Sequence, residues 1–218
     1  MEEILSRNFI LVFLGQFALS SAFHLLIPTL PIYLSRLGSP ETEIGVLIGI
    51  FSVSSLVIRP FVGRALLKTP ERNFMITGAL FFVFTSMAYL LASPFWSFLI
   101  VRVLQGTGLA FFNTASITFI ANISPEGRRG QSLSYFYLAY NISFALAPSF
   151  GMLVINHFSF PLLFLLCAGL SSCSLLISNR LGRRQVEPLE DSSIGEVSFL
   201  SRRAFPPAIL VFFAHIIW

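Results

Sequence analysis

Six polar side chains stand in apolar surroundings that do not need them for solubility: Gln16, His24, Arg102, Gln105, Asn113 and Asn141. Their chemistries differ. Arg carries a permanent charge and only donates hydrogen bonds, the Gln and Asn amides both donate and accept, and His is the side chain whose charge changes near neutral pH. Carboxylates are absent from the same surroundings. No Asp or Glu falls within 8–35, 44–58, 73–101, 104–125 or 130–179, and the one Asp in the chain is Asp191. Paired acids for general acid–base work, acidic clusters for Mg²⁺ and an H-E-x-x-H zinc site are therefore all missing. No catalytic residue, metal or cofactor is expected, and an intramembrane enzyme is the remotest reading. Cys167 and Cys173 are six apart in one apolar run, which points them away from each other on a helix and suggests two buried thiols rather than a disulfide.

The elements that hold these residues follow from composition. Of 218 residues 55% are hydrophobic and only 11% charged, with 25 Phe and a mean hydropathy of +0.81. A soluble domain is about one quarter charged, and a chain of this size cannot hide so much apolar surface in one aqueous core. Continuous apolar runs of about 20 residues cross a bilayer as helices, whereas barrel strands would alternate. The runs predict an all-α, polytopic membrane protein with six spans over about 9–34, 44–63, 74–92, 95–121, 132–155 and 159–178. Glu2, Glu3 and the length of the first run lead us to expect a retained spanning helix there rather than a signal peptide. The expected organisation is a six-helix transmembrane bundle over 1–178, a cytoplasmic linker over 179–204, and the start of an incomplete seventh helix over 205–218.

The basic residues set the orientation. Arg7, Arg64, Lys68, Arg72, Arg128, Arg129, Arg180, Arg183, Arg184, Arg202 and Arg203 fall on one side, eleven of the 14 Lys and Arg, while the opposite loops carry only Arg36. By the positive-inside rule the N-terminus is cytoplasmic, in the cell inner (plasma) membrane. The sequence pI near 9.5 is then a topology signal and a source of affinity for membrane lipid headgroups, and no nucleic-acid partner is expected. The short outer connections, about 35–43, 93–94 and 156–158, make neighbouring helices antiparallel.

Four stretches now carry a resemblance. Pro28-Thr29-Leu30-Pro31-Ile32-Tyr33-Leu34, followed by Glu43-Ile44-Gly45, resembles a P-x-L-P-x-Y and E-I-G pattern of bacterial efflux proteins. Arg59-Pro60-Phe61-Val62-Gly63-Arg64, running to Lys68, Glu71 and Arg72, stands at the place of a G-x-x-x-D-R-x-G-R-R loop, with Leu67 where that loop has Asp and Pro70 where it has its second Gly. Arg102-Val103-Leu104-Gln105-Gly106-Thr107-Gly108-Leu109-Ala110 closely resembles R-x-x-Q-G-x-G-x-A. The fourth pairs Pro125-Glu126-Gly127-Arg128-Arg129-Gly130 with Ala147-Pro148-Ser149-Phe150-Gly151. The latter is similar to a G-P-x-x-G-G motif associated with antiporters, with Ala147 for its first Gly and Met152 for its last. Together they resemble the N-terminal half of a major facilitator superfamily transporter.

The resemblance implies a secondary transporter that exports a small, partly apolar solute by alternating access, with a second six-helix half as its missing partner and proton coupling as one option. A nonfunctional fragment, or a half-transporter that needs a partner chain, is the alternative. Arg102 either snorkels to the outer headgroups or faces the bundle interior, where it would fix the contact between helices 1 and 4. His24 is either satisfied by a neighbouring helix or is a titratable cavity residue. Gln16, Gln105, Asn113 and Asn141 either line the substrate pathway or tie helices together. Arg59, Gly63, Arg64, Lys68, Glu71 and Arg72 form either a cytoplasmic gate or plain charge anchors, Pro148 and Gly151 mark the helix-5 motif, and Gly45-x-x-x-Gly49 serves close packing or a dimer face.

Overall fold

The computed structural model describes residues 5–91, 95–125 and 127–182. They form six helices: α1 (Arg7–Arg36), α2 (Glu41–Ala65), α3 (Glu71–Ala88), α4 (Phe95–Ile123), α5 (Arg129–His157) and α6 (Phe160–Asn179). Each coincides with one of the apolar spans. The expected linker past Gly182, the seventh segment and the 93–94 connection lie outside the described residues.

Local sequence explains where the helices start and stop. The Ser6 hydroxyl accepts the Phe9 N–H at 3.3 Å and caps α1. After α1, Gly38 takes a left-handed φ of +83°, which lets the Ser39 N–H reach the Leu34 carbonyl at 3.1 Å. Pro161 sits in the first turn of α6, where its missing N–H costs nothing. Pro28, Pro31, Pro60 and Pro148 lie inside helices that continue through them. Thr and Ser hydroxyls turn back onto their own helix, as in Thr29 to the Leu25 carbonyl and Ser171 to the Cys167 carbonyl, both at 2.7 Å. This is how polar side chains are accommodated where no water is available.

Five of the helices are long and apolar enough to cross a membrane by length and composition alone. The remaining one, α3, opens on Glu71, Arg72 and Asn73, so polar residues fill its first turn. Packing runs in an arc: α2 against α4, α4 against α3, α3 against α6, α6 against α1, and α1 against α5. The helices at the two ends of the arc, α2 and α5, leave their outer faces open, as Val53, Leu56, Phe144, Leu146 and Phe150 show.

The apolar interior has two parts. One, with Phe9, Val12, Met75, Phe119 and Phe136, fills the end where α1, α3 and α5 begin. The other, with Leu30, Leu34, Leu47, Tyr89, Phe98 and Phe164, fills the opposite end. Buried polar residues, Gln16, Ser20, His24, Arg102, Gln105, Ser116 and Ser143 among them, occupy the level between.

Glycines set the closest approaches. A Cβ on Gly78 would stand 2.6 Å from the Gly108 carbonyl oxygen, one on Gly151 would stand 2.8 Å from the Leu25 carbonyl oxygen, and one on Gly106 would collide with Ser54 and the Phe51 backbone. Gly106 and Gly151, both in the sequence motifs, are thus the contact points of α4 with α2 and of α5 with α1. Of the two readings of Gly45 and Gly49, close packing within the bundle is not met: nothing in it comes within 4 Å of a Cβ at either position, because both lie on the open side of α2. The cysteines need a correction too. Cys167 is buried, with its Sγ 3.4 Å from the Ala22 carbonyl, but Cys173 is exposed, since six residues turn it to the outer side of α6.

Candidate functional site

Three polar clusters occupy the middle level. The first joins α1 to α4. Gln16 donates through Nε2 to Ser20 Oγ at 2.8 Å and to Asn113 Oδ1 at 3.1 Å, and its Oε1 accepts from Ser116 Oγ at 3.1 Å. Gln16 and Ser116 are buried, and Asn113 is half-buried. In a bundle where α1 and α4 touch lightly, these bonds tie the two helices together.

The second cluster joins α1 to α5. His24 is fully buried, and its Nδ1 lies 2.8 Å from Ser143 Oγ. Its Nε2 has no hydrogen-bond partner. Rings surround it: Tyr140 at 4.7 Å and Phe144 at 5.4 Å edge-on, and Phe23 at 5.1 Å. His24 is therefore held by a side chain on α5, not by a neighbouring backbone.

The third gathers around Arg102. Its Nη1 donates to Gln105 Oε1 at 2.9 Å, one turn on along α4, and Tyr89 Oη donates to the same oxygen at 2.8 Å. Because Arg can only donate, the Gln105 oxygen must face it. The guanidinium carbon lies 5.4 Å from the centre of the Phe51 ring on α2, within cation–π range. Phe51 in turn stacks on Phe23 of α1 at 5.0 Å. Arg102 is 5% exposed, so it faces the interior and does not snorkel. The hydrogen bonds that join helices 1 and 4 come from other residues. Arg102 binds within α4 and packs on α2 and Tyr89, while Gln16, Asn113 and Ser116 make the α1–α4 contact.

Asn141 is not brought into any cluster. It is exposed on α5, on the side turned away from α1. Pro148 lies half-buried in α5, one turn before the Gly151 contact.

At the opposite end of the molecule from Tyr89, the expected gate residues divide. Glu71 is buried and accepts Asn122 Nδ2 at 2.6 Å, joining α3 to α4. Arg72 donates to the carbonyls that end α6, Asn179 at 2.7 Å and Ser178 at 3.4 Å. Arg59, Gly63 and Arg64 are exposed on α2, and Lys68 is exposed in the turn toward α3. Sequence reasoning missed Asn122, Tyr89, Ser116 and Ser143 as partners. The cue for the two serines was their place among apolar residues one and two helices away, which becomes informative only once neighbours are known. An apolar groove of about 260 Å³ between the first turns of α1 and α5, lined by Leu5, Phe9, Ile10, Phe13, Tyr135 and Leu138, contains none of the expected site residues. Among the described residues no group of His, Cys, Asp and Glu could hold a metal ion.

Comparison with known proteins agrees with this architecture. The family model described as Major Facilitator Superfamily matches residues 12–218. The chain is 23% identical over 215 residues to an uncharacterized MFS-type transporter, MJ1560, of Methanocaldococcus jannaschii, covering 95% of this chain and 56% of that protein. It is 28% identical over 156 residues to the quinolone resistance protein NorA of Staphylococcus aureus, covering 71% of this chain and 38% of NorA. The crystal structure of a POT family transporter in complex with a thioalcohol-conjugated peptide shares the fold with a TM-score of 0.67 at 17% identity, over 97% of this chain and 45% of that one. The chain thus spans about half the length of the proteins it matches.

Proposed function

The chain belongs to the Major Facilitator Superfamily, a multi-pass membrane family, and from that premise we propose that it supplies one six-helix half of a secondary transporter of small molecules. The observation that carries the reading is the level of buried polar groups between two apolar cores, in an arc whose end helices, α2 and α5, leave their faces open. A second six-helix bundle set against those faces would enclose a midplane cavity bordered by Tyr140 and Phe144, the rings that flank the buried His24. Rocking of two halves about such a site is how this superfamily is described as working.

The cargo is a partly apolar solute and the direction is export, a reading supported by the resemblance of the helix-1 and helix-2 motifs to bacterial efflux proteins and by the likeness to a quinolone resistance protein. The basic loops put the N-terminus in the cytoplasm of a cell bounded by its inner (plasma) membrane. Glu71 and Arg72 then lie at the cytoplasmic end, where they hold α3, α4 and α6 as one unit that moves together, while Arg59, Gly63, Arg64 and Lys68 face the partner half as a gate. His24 is the residue of this half through which protons could couple to cargo.

The test is reconstitution in proteoliposomes. The 218-residue chain alone should not accumulate or extrude solute, and co-expression with a second six-helix half should restore flux. Flux by the chain alone, or the absence of flux from the paired halves, overturns the reading. A His24→Leu variant whose flux follows pH as the parent's does removes His24 from coupling.

A further inference from the structure

The pair Arg102 and Gln105 is left with donors only. Gln105 Oε1 already accepts two bonds, from Arg102 Nη1 and Tyr89 Oη, which uses both of its lone pairs. What remains without a partner is Gln105 Nε2 and Arg102 Nε, both buried N–H donors. Gln105 is 0% exposed and Arg102 5%. The charge balance points the same way. Arg102 is a buried cation in a stretch of the chain that holds no Asp or Glu, and the acids nearest in helical structure, Glu41, Glu43 and Glu71, stand in the first turns of α2 and α3. A buried cation without a counter-charge is costly, and an anionic acceptor relieves both the charge and the idle donors at once.

The surroundings define the rest of the ligand. The guanidinium is covered by Phe51, which stacks on Phe23, and Phe23 continues to His24, Tyr140 and Phe144. Rings thus connect the donor cluster on α4 to the open face of α5, where Phe144 is 58% exposed.

We propose that this half binds an organic anion, a carboxylate carried on an aromatic body, with the carboxylate taken by Arg102 and Gln105 and the body laid against Phe51 and Phe23. This deepens the transporter reading and rests on it. Phe51 and Phe23 are the movable cover. When the ligand's ring takes the place of one of them, the carboxylate oxygens reach Nε of Arg102 and Nε2 of Gln105, and no protein acceptor has to be displaced. A cationic ligand would meet the Arg102 guanidinium as a like charge.

The experiment is equilibrium binding of three matched probes, 2-naphthoate, 2-naphthylmethanol and 2-naphthylmethylammonium, to the full chain in lipid nanodiscs, alone and paired with the second half. The naphthoate should bind at least about tenfold more tightly than the other two, and Arg102→Gln should abolish that preference while leaving the weak binding of the alcohol. A fold that tolerates loss of Arg102 poorly is handled by a second variant. Gln105→Glu places a carboxylate beside Arg102, so it should raise thermal stability while removing naphthoate binding, two effects of opposite sign that a merely structural role does not produce. Equal binding of the three probes, tighter binding of the ammonium, or unchanged naphthoate binding in Gln105→Glu overturns the proposal and leaves the transport reading standing. Failure of flux in the paired-half assay, with the naphthoate preference intact, overturns the transport reading alone.

Discussion

Arg72, the second residue of α3, closes the C-terminal end of α6: its Nη2 donates to the Asn179 carbonyl at 2.7 Å and its Nε to the Ser178 carbonyl at 3.4 Å. Those carbonyls are among the last of the helix and have no N–H ahead of them within it, and the cation also meets the negative end of the α6 dipole. Immediately before it, Glu71 holds Asn122 near the end of α4. Two consecutive residues thus fasten the ends of two other helices, a tighter role than that of a loose charge anchor.

Replacing Arg72 by Ala should therefore lower stability by about 1–2 kcal/mol, the value of a charge-assisted bond to a helix terminus. Thermal unfolding in detergent, read by the loss of helical circular dichroism, measures it. Arg72→Lys should recover part of the loss, since an ammonium keeps the charge but cannot span both carbonyls as the guanidinium does. Equal melting of all three proteins would mean the contact contributes nothing.

The glycines divide into two groups that substitution should separate. Gly106→Ala and Gly151→Ala push a methyl into the Phe51 and Leu25 backbones, and overpacking of this kind costs about 1–3 kcal/mol. Gly45→Ala and Gly49→Ala meet nothing within 4 Å and gain helix propensity, up to about 1 kcal/mol each. In the chain by itself, thermal melts should fall for the first pair and hold or rise for the second. The same Gly45 and Gly49 variants assayed for flux with the second half report whether that half comes close to α2.

How far the sequence was legible depends on whether a feature is local. Charge-free runs placed all six helices, because a span must satisfy its own backbone and its length is set by the bilayer. The pairing of Arg102 with Gln105 lies within one helical turn, where side chains at i and i+3 meet, although the sequence reading did not pair them. Which helix Arg102 would meet was not local. The arc puts α2 and α3, not α1, beside that part of α4, so the contact expected between helices 1 and 4 fell instead to Gln16, Asn113 and Ser116. Cys173 was misjudged for a similar reason, since it points to the side of α6 that no neighbour covers, while Asn141 is exposed on α5 and makes no tie between the six helices. Arg72 could be read as a basic loop residue, but its partner 107 positions away could not.

The Gln16 network gives a sharper measurement. A double-mutant cycle between Gln16→Leu and Asn113→Leu, monitored by unfolding in detergent, should show a coupling of about 0.6–1.7 kcal/mol, the range found for hydrogen bonds between membrane helices. Coupling should vanish between Gln16→Leu and Asn141→Leu, because Asn141 is exposed on a different helix and shares no bond with the network. Comparable coupling in both cycles would mean that the bonds seen at Gln16 are not what links the residues.

His24 and Ser143 should respond in opposite ways. The Nδ1–Oγ contact at 2.8 Å is the one hydrogen bond the ring makes to another side chain, and Nε2 is buried with no partner. Ser143→Ala therefore leaves a fully buried ring with its best-placed partner gone, at a cost of about 1–3 kcal/mol. His24→Leu removes the unsatisfied nitrogen together with the ring and keeps an apolar side chain among Phe23, Tyr140 and Phe144, so its stability should equal or exceed the parent's. In the double variant His24→Leu, Ser143→Ala the serine change should become nearly neutral, because no ring is left to orphan. Unfolding midpoints of the four proteins decide the matter: a Ser143→Ala loss that persists undiminished in the His24→Leu background would show that Ser143 stabilises α5 by other means, and that the ring is held in place by its aromatic neighbours alone.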